Sequence, residues 1–191
     1  MNGKIQLALI YGSTRPNRLC DGVVRWTAAE IERRGGFALD AIDPAAPEVA
    51  SGVLGQDRAA RLALRQRIGR ADAFVVVTPE YNHSYPAPLK ALIDSIREEW
   101  RAKPVAFVSY GGISGGLRAI EHLRLVFAEL HAVGIRDCVS FANARERFDA
   151  EGGLRDPGAA ETAMATLLAR LAWWATALRA AREATPYPEA A

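Results

Sequence analysis

The chain has 191 residues, 50% of them apolar and 24% charged, with 24 Lys and Arg against 22 Asp and Glu and a net charge of +2. That length suits one domain with a substantial core, and a charge so near balance, without a Lys/Arg run, argues against nucleic acid. No signal peptide and no apolar span of membrane length is read, Cys20 and Cys138 lack metal-ligand spacing and are not expected to pair, and the expected compartment is the cytoplasm.

Ile5–Tyr11 is a nearly continuous apolar run, as expected of a strand buried on both faces of a parallel sheet. Gly12-Ser13-Thr14-Arg15-Pro16-Asn17-Arg18 follows it and leads into a helix over Val23–Arg34, with Val24, Ala28 and Ile31 at helical spacing. Arg33-Arg34-Gly35-Gly36 ends that helix with cations and then glycines. Phe37–Asp43 reads as the second strand and Pro44–Gln56 as a surface loop. Arg58–Arg70 is a basic helix with a weak stripe of Leu62, Arg65 and Ile68-Gly69. Ala73–Thr78 is a charge-free third strand stopped by Pro79.

Pro86 and Pro88 bracket the start of a helix whose Leu89, Leu92, Ile93 and Ile96 recur at i, i+3, i+4 and i+7. Val105–Ser109 is the fourth strand, ending in Tyr110-Gly111-Gly112. The next helix, Gly116–Ala132, carries Ile120, Leu123, Phe127 and Leu130 on one side. Leu125, Val126 and Ala128 make its other side apolar too, so a homodimer contact is expected there. Ile135–Ala142 is the fifth strand and Arg145–Asp156, with Gly152-Gly153, an excursion beyond the sheet. The last helix, Ala159–Arg182, aligns Met164, Leu167, Leu168, Leu171, Ala175 and Leu178. Residues 1–184 thus read as one domain and 185–191 as a loose tail.

Five strands alternating with five helices predict a doubly wound parallel sheet in a three-layer α/β/α sandwich. The flavodoxin-like order 2-1-3-4-5 suits this length. Ligands then bind above the loops after strands one, three and four.

The first of those loops offers helix N-terminal amides, hydroxyls of Ser13 and Thr14, and guanidinium forks of Arg15 and Arg18, a set suited to phosphate. It lacks both the dinucleotide Gly-x-Gly-x-x-Gly and the Lys-Ser/Thr of an ATP loop, and so favours a terminal monophosphate. The second, Pro79-Glu80-Tyr81-Asn82-His83-Ser84-Tyr85-Pro86, crowds aromatics, an amide and an imidazole into one turn. The third, Ser109-Tyr110-Gly111-Gly112, lets backbone approach a ligand closely. Phosphate at one end and a planar polar ring at the other describe a mononucleotide, and FMN is the ligand this layout favours.

These three stretches resemble those of the NAD(P)H-dependent FMN reductase family, a flavodoxin-like group with quinone and azo reductase relatives, over roughly residues 4–180. The resemblance implies an oxidoreductase that passes a hydride from NADPH (or NADH) to flavin N5 and then to a quinone, azo compound or free flavin. It implies that Ser13, Arg15 and Arg18 hold the phosphate, and Thr14 and Asn17 of the same loop are read as cofactor-binding with them. It further implies that Pro79, Glu80, Tyr81 and Asn82 line the isoalloxazine, with His83 of the same turn read as cofactor-binding at the cleft rim, that Ser109, Tyr110, Gly111 and Gly112 embrace its pyrimidine edge, and that the protein is a homodimer or dimer of dimers. No residue is assigned as acid or base, and no metal is expected. The departure is Arg18-Leu19-Cys20-Asp21, where relatives often carry small residues. Asp21 near a phosphate is expected to turn away or to pair with an arginine.

Two other readings compete. Gly112-Ile113-Ser114-Gly115-Gly116 has the spacing of a hydrolase nucleophile elbow, yet no His follows residue 131 to serve as its base. A non-enzymatic flavin carrier or sensor on the same fold is the other, although carriers tend to be strongly acidic. The basic residues Arg61, Arg65 and Arg67 are a candidate contact for a ribose phosphate.

Overall fold

Side chains alternate between the two faces of a strand, so a strand covered on both sides must be apolar almost throughout. The computed structural model, which describes residues 3–149 and 152–188, follows that rule closely. In chain order its elements are β1 (Ile5–Tyr11), α1 (Cys20–Arg34), β2 (Phe37–Ile42), α2 (Pro47–Val53), α3 (Arg58–Arg70), β3 (Ala73–Pro79) and α4 (Ala87–Asp94). Then come β4 (Pro104–Tyr110), α5 (Leu117–Glu129), β5 (Val133–Phe141), α6 (Ala144–Arg147) and α7 (Gly158–Ala184). All strands are parallel, in the order β2-β1-β3-β4-β5, so the predicted fold is the observed one.

β3 and β4 are buried at every position. Leu7, Leu9, Val75, Val77, Ala106 and Val108 face one layer, where they meet Val23 and Ile31 of α1 and Met164, Leu167 and Leu171 of α7. Their alternates Ala8, Ile10, Phe74, Val76, Val105 and Phe107 face Ile68 of α3, Leu89 and Leu92 of α4, and Leu123 and Phe127 of α5. Trp100, fully buried between Phe74 and Phe127, anchors this second layer.

Several expectations are corrected. The stretch read as a loop over Pro44–Gln56 contains α2, which opens on Pro47 behind the extended Ala46, an arrangement that suits proline's fixed φ and missing N–H. The buried residues of α3 are Leu64 and Ile68, while Leu62 is exposed. α1 starts three residues earlier than Val23, β5 starts at Val133, and the excursion after β5 contains the short α6. The sandwich therefore has seven α-helices among the described residues, not five. Residues 150–151 of that excursion and 189–191 of the tail lie outside the described residues. On α5, Leu125 and Ala128 are exposed while Val126 packs partly against the core. Cys20 and Cys138 are free thiols. Among the described residues no helix is long and apolar enough to cross a membrane.

The amino end of the sheet, opposite the ligand loops, is closed by charge. Asp72 accepts hydrogen bonds from Gln6 N at 3.0 Å and Arg179 Nη1 at 3.2 Å, and Lys103 Nζ donates to the Ile68 and Gly69 carbonyls at 3.0 and 2.8 Å. Burial, helped by the nearby Arg182 cation, lowers the Lys103 pKa to about 8, and the carboxylates of Asp72 and Glu99 offset this only in part. The unfolded chain keeps its lysine proton to about pH 10.4, so the folded state binds fewer protons between those limits. Stability should therefore rise with pH from about 8 to about 10 on this group's account. Urea midpoints compared at pH 7.5 and 10 should show that rise in the native chain and not in Lys103→Met.

Candidate functional site

The carboxyl ends of the strands raise four loops on one edge, and backbone hydrogen bonds lace them together. Gly12 N donates to Val77 O at 2.7 Å, which pins the first loop to β3. A Cβ on Gly12 would lie 2.6 Å from Val77 O and 2.9 Å from Thr78 Cα, so only glycine allows this approach. Glu80 N donates to Tyr110 O at 3.1 Å, and Gly111 N to Phe141 O at 3.1 Å. Asn143 N and Ala144 N in turn donate to the Gly112 and Gly111 carbonyls at 2.9 and 3.0 Å. The loop after β5 is thereby tied to the loop after β4.

These loops enclose a cleft of about 440 Å³, within the roughly 300–1,000 Å³ usual for small-molecule sites. Nine of the predicted residues line it: Arg15, Asn17, Arg18, Pro79, Glu80, Tyr81, Tyr110, Gly111 and Gly112. Ser13, Thr14, Asn82, His83 and Ser109 do not form its wall. Pro16, Leu19, Asn143, Ala144, Arg145 and Glu146 line it without having been singled out from the sequence. The missed signal is positional, because the segment after β5 leaves the same edge as the other three loops.

The first loop is shaped from within. Ser13 is buried, with its Oγ 3.1 Å from the Tyr81 hydroxyl and accepting from Arg15 N at 3.4 Å. The Arg15 guanidinium lies 3.8 Å from the Tyr81 ring centroid, a cation–π stack, and has no carboxylate partner among the described residues. Arg18 differs. Its Nη1 donates to Asp43 Oδ1 at 2.9 Å and to the Ser13 carbonyl, its Nη2 to Asp43 Oδ2, and its Nε to Asp21 Oδ1 at 2.8 Å. The hydrogen bonds it donates to Asp43 raise the Arg18 pKa well above its ordinary range, against the opposing effect of burial. Arg18 is a brace between β2 and the loop, and the expected pairing of Asp21 with an arginine is found in it.

The second loop is a two-residue hairpin. Tyr81 N donates to Ser84 O at 2.8 Å and Ser84 N to Tyr81 O at 3.0 Å, while Asn82 and His83 take φ of 50° and 68°. Positive φ at both central positions marks the type I′ turn, which explains an Asn there. His83 is exposed at its tip, off the cleft wall.

In the third loop Ser109 is fully buried, and its Oγ donates to Gly115 O at 2.7 Å. Ser114 Oγ donates to Glu80 Oε2 at 2.6 Å, and Arg118 Nη1 to Glu80 Oε1 at 3.0 Å. Burial pushes the Glu80 carboxyl up, but these donors outweigh it and hold it below its usual range. The Gly-x-Ser-x-Gly spacing therefore encodes a clip between two loops. His122, the base nearest in sequence, has its Nδ1 3.1 Å from Ser84 Oγ instead. Deep burial, with the Cys20 thiol alongside, raises the Tyr110 pKa far above its ordinary value, so its phenol stays protonated. Among the described residues no cluster of three His, Cys, Asp or Glu could hold a metal.

The residues present fit FMN. The Arg15 guanidinium, which has no carboxylate partner among the described residues, is a donor suited to its phosphate, and the buried Ser13 hydroxyl shapes the loop behind it. Gly112, on the same cleft, leaves open space where a side chain would stand, room for a flat ring near Tyr81 and Tyr110. The N–H of Gly111 is already engaged by Phe141, so it is not the free donor the glycine pair suggested.

Comparison with known proteins agrees. The family model described as NADPH-dependent FMN reductase matches residues 5–146. An NAD(P)H-dependent FMN reductase of Schizosaccharomyces pombe is 35% identical over 122 residues, 58% of this chain and 60% of the relative. An NADPH:quinone oxidoreductase of Arabidopsis thaliana is 41% identical over 100 residues, 49% of this chain and 51% of the relative. The chain thus spans about half to three fifths of the length of these two curated relatives. Among solved structures, the flavoenzyme FerB, an NAD(P)H:(acceptor) oxidoreductase from Paracoccus denitrificans, superposes with a TM-score of 0.68. It covers 89% of this chain and 97% of its own, and at 22% identity it is evidence for the fold alone.

Proposed function

This chain belongs to the NADPH-dependent FMN reductase family, and from that premise we propose that it is an FMN-containing oxidoreductase. It takes electrons from NADPH or NADH and reduces a small acceptor such as a quinone, an azo compound or free flavin. The observation that carries this reading is the switch-point cleft, which is lined both by Arg15, without a carboxylate partner among the described residues, and by Gly112, beside which no atom stands within 4 Å of a would-be Cβ.

FMN, when bound, supplies the two-electron redox chemistry. The protein's part is binding and electrostatics. Arg15 holds the phosphate, and the buried Ser13 hydroxyl and Arg18 keep the loop in shape behind it. Tyr81 and the Gly111–Gly112 backbone frame the ring, and the Glu80–Ser114–Arg118 clip keeps those two walls together. Tyr110, held neutral, adds a polar group without adding charge beside an electron-rich ring.

The apolar residues left outside the core support a homodimer. Ile113 and Leu125 are 87% and 74% exposed, and Leu117 stands half-exposed on α5 near the cleft. Leu125→Glu should turn a dimer into a monomer by light scattering, with the fold intact by circular dichroism. An unchanged mass would move the contact elsewhere.

The decisive experiment is the visible spectrum of the purified protein, followed by anaerobic NADPH. A yellow protein that bleaches supports the reductase. Yellow without bleaching favours an electron carrier or sensor. A protein that stays colourless with added FMN overturns the reading.

A further inference from the structure

Beside the cleft runs a second groove of about 550 Å³. The two cavities share Asn17, Arg18, Leu19 and Arg145, so Arg145 stands where they join. From that junction the groove passes over the start of α1 toward Arg25 and Gly152. Its floor is backbone. A Cβ on Gly22 would come within 3.2 Å of Gly152 Cα, and one on Gly152, whose φ is 83°, would overlap the Arg25 guanidinium.

The charges of this groove are uneven in an informative way. Among the described residues two carboxylates line it, and both are engaged: Asp21 accepts from Arg18 Nε at 2.8 Å and Asp149 from Gly153 N at 2.6 Å. Arg145, by contrast, is exposed and has no carboxylate partner among the described residues. The basic residues of α3 do not compete for this part, since none of them lines either cavity, and Arg65 and Arg67 are paired with Glu99 and Asp40.

A flavin cleft joined to a groove of similar size, with a guanidinium at the joint, suits a reductant built in two halves. We propose that the groove seats the adenosine diphosphate half of the nicotinamide nucleotide and that Arg145 holds its pyrophosphate. This rests on the reductase reading above. One end of the nucleotide must reach the flavin cleft, so its bridging phosphates fall at the junction. There a planar fork can meet two phosphate oxygens at once.

The test is calorimetric titration of ADP-ribose into the purified protein, with and without FMN, together with steady-state kinetics on NADPH and NADH. ADP-ribose should bind in both states, compete with NADPH, and leave FMN in place. Arg145→Ala should weaken ADP-ribose about tenfold or more. It should raise KM for NADPH and NADH alike, by more than it changes kcat, and Arg145→Lys should recover part of the loss. ADP-ribose that fails to bind, or binds equally well to Arg145→Ala, overturns the proposal. The FMN titration is scored separately. A protein that takes FMN and is reduced by NADPH, yet ignores ADP-ribose, removes the groove and leaves the reductase reading standing.

Discussion

Gly12→Ala should both destabilise the protein and cost it most of its FMN affinity. The added Cβ would lie 2.6 Å from Val77 O, 2.9 Å from Thr78 Cα and 3.1 Å from Thr78 Cβ. Two of those atoms belong to the backbone of β3, a strand buried along its whole length, so the neighbour cannot swing aside. The first loop must lift instead, which stretches the 2.7 Å bond from Gly12 N to Val77 O and moves Ser13 and Arg15 together. Overpacking of this kind costs about 1–3 kcal/mol, or several degrees of Tm in a chain of this size. Loss of a comparable amount from phosphate binding would lower FMN affinity about tenfold or more. Gly112→Ala is the matched control for stability, because a Cβ there meets nothing within 4 Å. Equal melting temperatures for the two variants would mean that β3 yields to the loop, and the account of Gly12 as a close-contact residue would fall.

How far the sequence exposed this architecture depends on what each residue answers to. β3 and β4 were legible because burial on both faces demands an unbroken apolar run, and no competing pattern produces one. The strand order followed from length and alternation. α2 was not legible, because a seven-residue helix rich in Pro, Ala and Gly has little periodicity of its own, and only Val49 and Gly52 turn inward. The site shows the same division. The loops were legible as oddities of composition, but the partner of each side chain was not. Arg18 reads as a phosphate ligand from the loop alone, and nothing in sequence brings Asp43, just past the end of β2, to its guanidinium. Asn82 and His83 stand out in the sequence as polar groups at the cleft mouth, and the structure shows that they also form a turn with positive φ. Gly-x-Ser-x-Gly resembled a nucleophile elbow until Glu80 supplied the acceptor for Ser114. Sequence thus marks where chemistry gathers, while topology decides which group faces the ligand and which holds another group in place.

That distinction makes Asp43→Ala the sharper experiment on the loop. Arg18 is only 10% exposed in its side chain, and Asp43 supplies both of its facing acceptors while also accepting from Ala45 N at 2.9 Å. Removing the carboxylate leaves a nearly buried guanidinium with Asp21 and the Ser13 carbonyl as its remaining partners. Breaking a fully buried pair from one side costs about 3–5 kcal/mol, and the 27% exposure of Asp43 puts this case near the lower end. If Arg18 is a brace, Asp43→Ala loses stability and FMN affinity together, although Asp43 does not line the cleft. The double variant with Arg18→Ala should then recover part of the stability, because the orphaned charge is gone with its partner. If Arg18 is instead a phosphate ligand restrained by Asp43, the single variant frees it, and FMN affinity rises while stability falls. Fluorescence titration of FMN against urea unfolding of the same samples separates the two, since only the brace makes both quantities fall in step.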